Sequence, residues 1–400
     1  MNSADELERL LGQQLHQQVD GMTDAPIGLG DVKGRAGRIR RNRRIAGGVA
    51  VAAVLAVAVP TALLVAPGTT SADRVSPANP DNGPTQTVLT LDGLATGGSP
   101  LIEYFDDQGV VIPTQGQVPL DEPYQALIEV PADGTWLALS ISTDDLVYLD
   151  GDFQRQTSTR ITQRLVSNPD RSAVAFVAPE AGAQTLLVRS TTDVEGGQAW
   201  DFPELPVVQP VDFAGKDTVV YQSTDDRGRQ EMGLALPDGT TEDFGGGFVK
   251  AISANPGTGL VAVQTKANDD GSGCFGVVDT AASLSATVWD TCDYSLSAFS
   301  PDGTYVLASD AYLSGEGPTS LSILDARDGS LVASFTQERG GQLVLAQVAW
   351  ETDDTVLALA RDGVDNAIIR MGVDGSIEQA VATAPTQVDT PYYLGADRLR

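Results

Sequence analysis

The chain is 400 residues long, with 42 Gly, 22 Pro, one His and a formal net charge of −29, enough for a large repeat domain that needs no special staple. The charge is uneven: residues 1–44 carry 8 Lys/Arg against 6 Asp/Glu, residues 45–65 carry none, and the remainder carries 17 against 48, or about −31. So negative a surface repels nucleic acid and anionic lipid, and leaves cationic ligands, metal ions and neutral partners open.

Ser3-x-x-Glu6 reads as a capping box, and Leu7, Leu10, Leu11, Leu15 and Val19 recur at helical spacing, which predicts a short amphipathic helix over residues 4–19. A single apolar stripe of that length needs a cover, either a membrane surface or a cytoplasmic partner. A zinc-type site there would need several His and Cys ligands, and only His16 is present. Arg35, Arg38, Arg40, Arg41, Arg43 and Arg44 then crowd against the uncharged run 45–65. That run is long enough as a helix to cross the roughly 30 Å of a bilayer's hydrocarbon core. The arginines on its N-terminal flank predict a single-pass protein of the cell membrane, with residues 1–44 in the cytoplasm and the rest outside. Thr70-Ser71-Ala72 would suit a signal peptidase. The 44-residue leader and the length of the apolar run favour an uncleaved anchor instead. Residues 66–85, rich in Pro, Ser, Gly, Asp and Asn, read as an extracytoplasmic linker.

From Gln86 to Arg400 short Val/Leu/Ile/Thr/Tyr-rich runs alternate with turn clusters, which predicts an all-β domain. The clearest unit is Phe299-Ser300-Pro301-Asp302-Gly303-Thr304-Tyr305, in which Pro and Gly reverse the chain between two apolar runs. Equivalent turns fall at Asp133, Asp170, Lys216, Gly257, Asp353 and Asp397, spaced by 37 to 51 residues. That period, at four strands per repeat, is the signature of propeller blades. A second family of turns lies between these, at Asp106–Gly109, Asp150–Asp152, Asp193–Gly196, Asp238–Gly239, Asp279–Ala282, Asp325–Gly329 and Asp374–Gly375. With strands lettered A to D from the axis outward, the first family is A-to-B and the second C-to-D. The expectation is a seven-bladed β-propeller, with six or eight blades left open by the degenerate turns at Lys216 and Gly257. Val88–Leu91, Leu101–Tyr104 and Val110–Ile112 read as strands B, C and D of a first blade, whose strand A comes from Tyr392–Leu394 and closes the ring.

These turns, with Ser322-Ile323-Leu324-Asp325 and Asp328-Gly329, resemble the WD-repeat and TolB-type propeller superfamily over residues 86–400. Trp200-Asp201 and Trp289-Asp290 sit near the ends of strands D, whereas the family's Trp-Asp ends strand C, and the Gly-His element is missing. The resemblance is therefore nearer the TolB kind, and it implies a fold rather than a function.

Cys274 opens strand C of the fifth blade and Cys292 follows its strand D. Counted outward from the Ala282 turn they fall nearly opposite each other, which predicts a disulfide in an oxidising compartment. The lone His16 removes Ser-His-Asp and Cys-His chemistry from the ectodomain and leaves carboxylates. Asp269-Asp270-Gly271-Ser272-Gly273 is the one candidate for a cation such as calcium; no other cofactor is expected. Three consecutive blades have long B-to-C loops, Ser223–Gln230, Lys266–Gly273 and Asp310–Pro318. Scaffolded loops are where binding residues concentrate. The candidate site is therefore Asp225, Asp226, Arg227, Arg229, Asp269, Asp270, Tyr312 and Glu316. The leading expectation is a membrane-anchored, non-catalytic binding, scaffold or sensing module for envelope proteins or glycans. The alternatives are a metal-dependent propeller enzyme of lactonase or hydrolase type, and a transmembrane signalling protein with a cytoplasmic docking helix.

Overall fold

Strands B and C of a propeller lie between two neighbouring sheets, so both of their faces are buried and they read as continuous apolar runs rather than alternating ones. Thr355–Asp362, with Val356 to Ala360 all buried, is such a strand, whereas the polar Arg155–Arg160 is an outer one. The computed structural model describes residues 83–394 apart from 107, 131–133, 163, 181–182, 192, 204, 269–271, 311–316, 339–340 and 386–391. The expected helix over 4–19 and the apolar run 45–65 lie outside the described residues.

Seven sheets, antiparallel but for one added outer strand, follow one another along the chain. Blade 1 combines Tyr393–Leu394 with Tyr104–Asp106, Gly109–Ile112 and Gly116–Val118. Blade 2 holds Tyr124–Val130, Thr135–Ser140, Asp145–Leu149 and Arg155–Arg160, and blade 3 Leu165–Ser167, Ala173–Glu180, Ala183–Ser190 and Asp193–Phe202. Blade 4 holds Val207–Phe213, Val219–Thr224, Gln230–Ala235 and Thr241–Asp243, and blade 5 Lys250–Asn255, Leu260–Ala267, Gly273–Asp279 and Trp289–Thr291. Blade 6 is Tyr294–Phe299, Tyr305–Asp310, Ser320–Asp325 and Leu331–Gln337; blade 7 is Leu343–Trp350, Thr355–Asp362, Asp365–Gly372 and Ile377–Pro385. The buried side chains form seven apolar clusters, each shared by two adjacent blades, including one between blades 7 and 1. Seven sheets with seven mutual interfaces make a closed ring. Each fully buried aliphatic or aromatic side chain in these interfaces contributes about 1.5–3 kcal/mol. The domain is a seven-bladed β-propeller.

The C-terminal strand closes the ring as the sequence implies, with Leu394 opposite Tyr104 and Tyr393 opposite Phe105. The other end differs from expectation. Thr85–Leu89, which contains Val88, lies outside blade 1 and runs parallel to Leu331–Gln337 as a fifth, outermost strand of blade 6. From there the chain crosses the outer strand of blade 7: Thr96 bridges Gln379, Gly97 N–H donates to Gln379 O at 2.9 Å, and Gln379 N–H donates to Ala95 O at 2.8 Å. Blade 1 thus takes its strands B, C and D from Tyr104–Asp106, Gly109–Ile112 and Gly116–Val118, and Asp106–Gly109 is a B-to-C turn. Likewise Asp193 begins strand D of blade 3, so the C-to-D turn precedes it. These blade 1 strands are three or four residues long.

The A-to-B turns of blades 5, 6 and 7 are joined to one another. Ser300 O accepts from Gly303 N–H at 2.9 Å, Asp302 Oδ1 accepts from Thr304 N–H at 3.0 Å, and Gly303 has φ +74. A Cβ on Gly303 would stand 2.7 Å from Asn255 Oδ1, and Asn255 Nδ2 donates across to Ser300 O at 2.9 Å. On the other side Asp302 N–H donates to Asp353 Oδ1 at 2.9 Å. Burial raises the Asp302 pKa, but the hydrogen bonds from Thr304 and Ser300 more than reverse this and hold it below the ordinary value.

Candidate functional site

Because the strands alternate in direction, the A-to-B and C-to-D turns share one face, and the B-to-C and D-to-A connections share the other. The Ser300–Gly303 turn therefore lies opposite the loops singled out from the sequence. In the blade 4 loop, Asp225 Oδ1 accepts from the N–H of Arg227 at 2.9 Å and of Arg229 at 2.8 Å, and Oδ2 accepts from Arg229 Nε at 2.7 Å. Asp225 and Arg229 are thus spent on shaping their own hairpin, and the backbone bond from Arg229 leads the causes that lower the Asp225 pKa. Asp226 and Arg227 are exposed. In the blade 5 loop Asn268 N–H donates to Ser272 O at 2.8 Å. Asp269, Asp270, Tyr312 and Glu316 lie outside the described residues. Among the described residues no group of three or more His, Cys, Asp or Glu is placed to hold a metal ion.

Cys274 and Cys292 are disulfide-bonded. Phe275 faces Thr291 in the C–D pairing, so the cysteines occupy the next rung, as the count from the Ala282 turn implies. The bond ties the short outer strand Trp289–Thr291 to the strand inside it. Trp289 and Trp350 bond across blades, donating through Nε1 to Ala326 O at 2.9 Å and Ala298 O at 3.0 Å.

Among the described residues, two cavities on the loop face lie over blades 1 to 3. A cavity of about 330 Å³ opens between blades 1 and 2, within the roughly 300–1,000 Å³ range of ligand pockets. Its walls include buried Phe105 and Tyr124, half-exposed Tyr393, and exposed Ile141, with Asp106, Asp121 and Glu122 among its polar groups. Glu122 organises the wall: Oε1 accepts from Tyr124 OH at 3.2 Å and Arg155 at 3.2 Å, and Oε2 accepts from Ser140 Oγ at 3.3 Å and Ser142 Oγ at 3.2 Å. Burial, then the charge and hydrogen bond of Glu122, push the Tyr124 hydroxyl up to about 12, so it stays a neutral donor. A second cavity, of about 570 Å³, is lined by Asp144, Arg160, Ile161, Thr162 and Pro179 between blades 2 and 3. Both are divided by one short B-to-C turn of blade 2, with Ile141 at its start and Asp144, at φ 56, at its end.

Loop length does not mark this region. Here the connections are short, and short loops leave the space between adjacent blades uncovered. The available signal was compositional: Leu120-Asp121-Glu122-Pro123-Tyr124 joins carboxylates, an aliphatic and an aromatic residue in one D-to-A connection.

No protein-family model matches the chain, and no curated protein does. Solved structures do. The chain is similar to the β-propeller domain of Cps50 (Swd1) from Myceliophteria thermophila, at 10% identity over 68% of this chain and 90% of that one, TM-score 0.46. It is similar to the putative TolB of Agrobacterium tumefaciens, at 13% identity over 73% and 95% of the two chains, TM-score 0.37. A third likeness is to the β-propeller domain of the Trilobed protease of Pyrococcus furiosus, at 12% identity over 70% and 87%, TM-score 0.47. At these identities the likeness is one of fold and extends to no ligand or activity.

Proposed function

We propose that the propeller is a non-catalytic binding module for a protein partner, held outside the cell by the apolar run 45–65 and engaging its partner through the loop face over blades 1 to 3. The observation that carries the reading is the pair of adjacent cavities flanking the Ile141–Asp144 turn, with half or more of Ile141 and Tyr393 exposed at the rim. A closed ring of rigid sheets presents such a face with little ordering cost on binding, which favours affinity. The anchor rests on the arginine cluster and the length of the uncharged run.

The test uses the full chain in its own membranes, with a photo-crosslinking phenylalanine analogue in place of Ile141 or of Thr304, an exposed residue in the A-to-B turn of blade 6. The expected result is a discrete adduct from position 141 only, with the chain resisting alkaline extraction and its propeller cleaved by protease added outside intact cells. Equal adducts from both positions, or none from position 141, would dismiss this face as the binding surface. Release by alkali would dismiss the anchor.

A further inference from the structure

The cavity between blades 1 and 2 has a lopsided chemistry. Among the described residues its lining holds three carboxylates, Asp106, Asp121 and Glu122, and no Lys, Arg or His. Their charges are unequally answered. Asp106 Oδ1 accepts from Gln108 N–H at 2.8 Å and Gln117 Nε2 at 2.9 Å, and Glu122 pairs with Arg155 at 3.2 Å. Asp121 is exposed and accepts no hydrogen bond from a described residue. Around these carboxylates stand the Phe105, Tyr124 and Tyr393 rings and the aliphatic Leu120 and Ile141. An aromatic wall favours a cation over its face, and an apolar lining favours the methylene stem that carries it.

We infer that this cavity receives a Lys or Arg side chain from a basic segment of a partner protein, an inference that rests on the binding role proposed above and names its chemistry. The rim argues for a polypeptide rather than a free small cation. Ile141 is 55% and Tyr393 50% exposed, and a bare ion would leave both wet, whereas a flanking segment covers them. Charge complementarity argues in the same direction, since the residues beyond 65 carry 17 Lys/Arg against 48 Asp/Glu. Such a field steers basic partners to the surface, and the cavity supplies the place where one side chain is held.

The probe is a fluorescent pentapeptide Gly-Ser-Lys-Ser-Gly, with Arg, norleucine and Glu counterparts, titrated by anisotropy against the full chain in neutral detergent. The Lys and Arg peptides should bind about tenfold or more tightly than norleucine, with no binding by Glu. Asp121→Asn and Tyr393→Ala should each weaken the Lys peptide by about fivefold or more, with the melting temperature unchanged. Asp238→Asn, an exposed carboxylate on the opposite face, should change nothing. Equal binding of Lys and norleucine peptides would overturn the inference, as would an equal loss from Asp238→Asn, which would mean diffuse attraction. Competition by methylammonium as strong as by the Lys peptide would also overturn it, in favour of a free cation. The membrane crosslinking separates the two levels. An adduct at position 141 that the Lys peptide does not displace refutes the basic side chain while leaving the binding face standing; absence of the adduct removes both.

Discussion

Replacing Arg370 by Met should release the leading segment from the outside of the ring. Arg370, on strand C of blade 7, donates to Glu351 and Glu378 and to the backbone carbonyls of Gly98 at 3.2 Å and Ser99 at 3.0 Å. Glu351 in turn accepts from Leu101 N–H at 2.7 Å, so one guanidinium and one carboxylate pin residues 98–101 to the blade. The Glu351 side chain is 1% exposed and that of Arg370 14%, so this is a desolvated pair and not a surface one. Removing one partner of a buried pair costs about 3–5 kcal/mol, because the remaining charge is stranded. Glu351 keeps Leu101 N–H and Thr355 Oγ1 as donors, which places Arg370→Met near the lower end, about 3 kcal/mol. Urea unfolding gives the stability, and limited proteolysis followed by mass mapping gives the accessibility of residues 83–103. Cleavage there should rise before global unfolding. Adding Glu351→Gln should restore about half of the loss, since the stranded charge is gone. A loss below about 1 kcal/mol would refute the burial argument. A full loss with residues 83–103 still protected would confine the effect to blade 7 and refute the latch.

Reduction of Cys274–Cys292, which closes a separation of 18 residues, should lower stability by about 3 kcal/mol, read as a shift in the urea midpoint with and without reductant. An unchanged midpoint would mean that Trp289–Thr291 is held by its pairing alone. Gly303→Val combines a left-handed φ of +74 with a Cβ against Asn255, and should cost about 1–3 kcal/mol; a smaller effect from Gly303→Val than from Gly228→Val, where nothing stands near the Cβ, would contradict this. Asp302 and Asp374 are both held below the ordinary carboxylate value, Asp374 chiefly by the hydrogen bonds from Ser376. The unfolded chain therefore binds these protons more tightly. Their contribution is complete above about pH 4 and is lost as the pH falls through the lower folded values. Asp374→Asn should flatten the acid limb of the stability curve, and an acid limb unchanged by it would refute the assignment.

The repeat was legible because it is written in backbone chemistry. Seven reversals need residues that tolerate turn geometry, so Asp302, Gly303, Asp374 and Gly375 stand out whatever surrounds them. The disulfide was legible for the same reason, since position within a hairpin follows from counting along the chain. What escaped was the partner of Thr85–Leu89. Its composition says strand, but its neighbour Leu331–Gln337 lies over two hundred residues away and the pairing is parallel, so no local turn announces it. With that strand in blade 6, each later strand of blade 1 sits one place nearer the axis than its order along the chain suggests.

The site was less legible than the fold, and the reason is geometric. Length marked the B-to-C loops of blades 4 to 6; in the blade 4 loop Asp225 and Arg229 bond to each other at 2.7 and 2.8 Å, while Asp226 and Arg227 are exposed. The cavity beside Glu122 is made from residues drawn from three separate stretches, Phe105–Gly109, Leu120–Tyr124 and Ile141, joined by Tyr393 from the far end of the chain. No window of sequence holds them together; ring closure does. Tyr393 reaches the cavity only because the C-terminal strand pairs with Tyr104–Asp106, so the strand that closes the propeller also completes the wall of its candidate site.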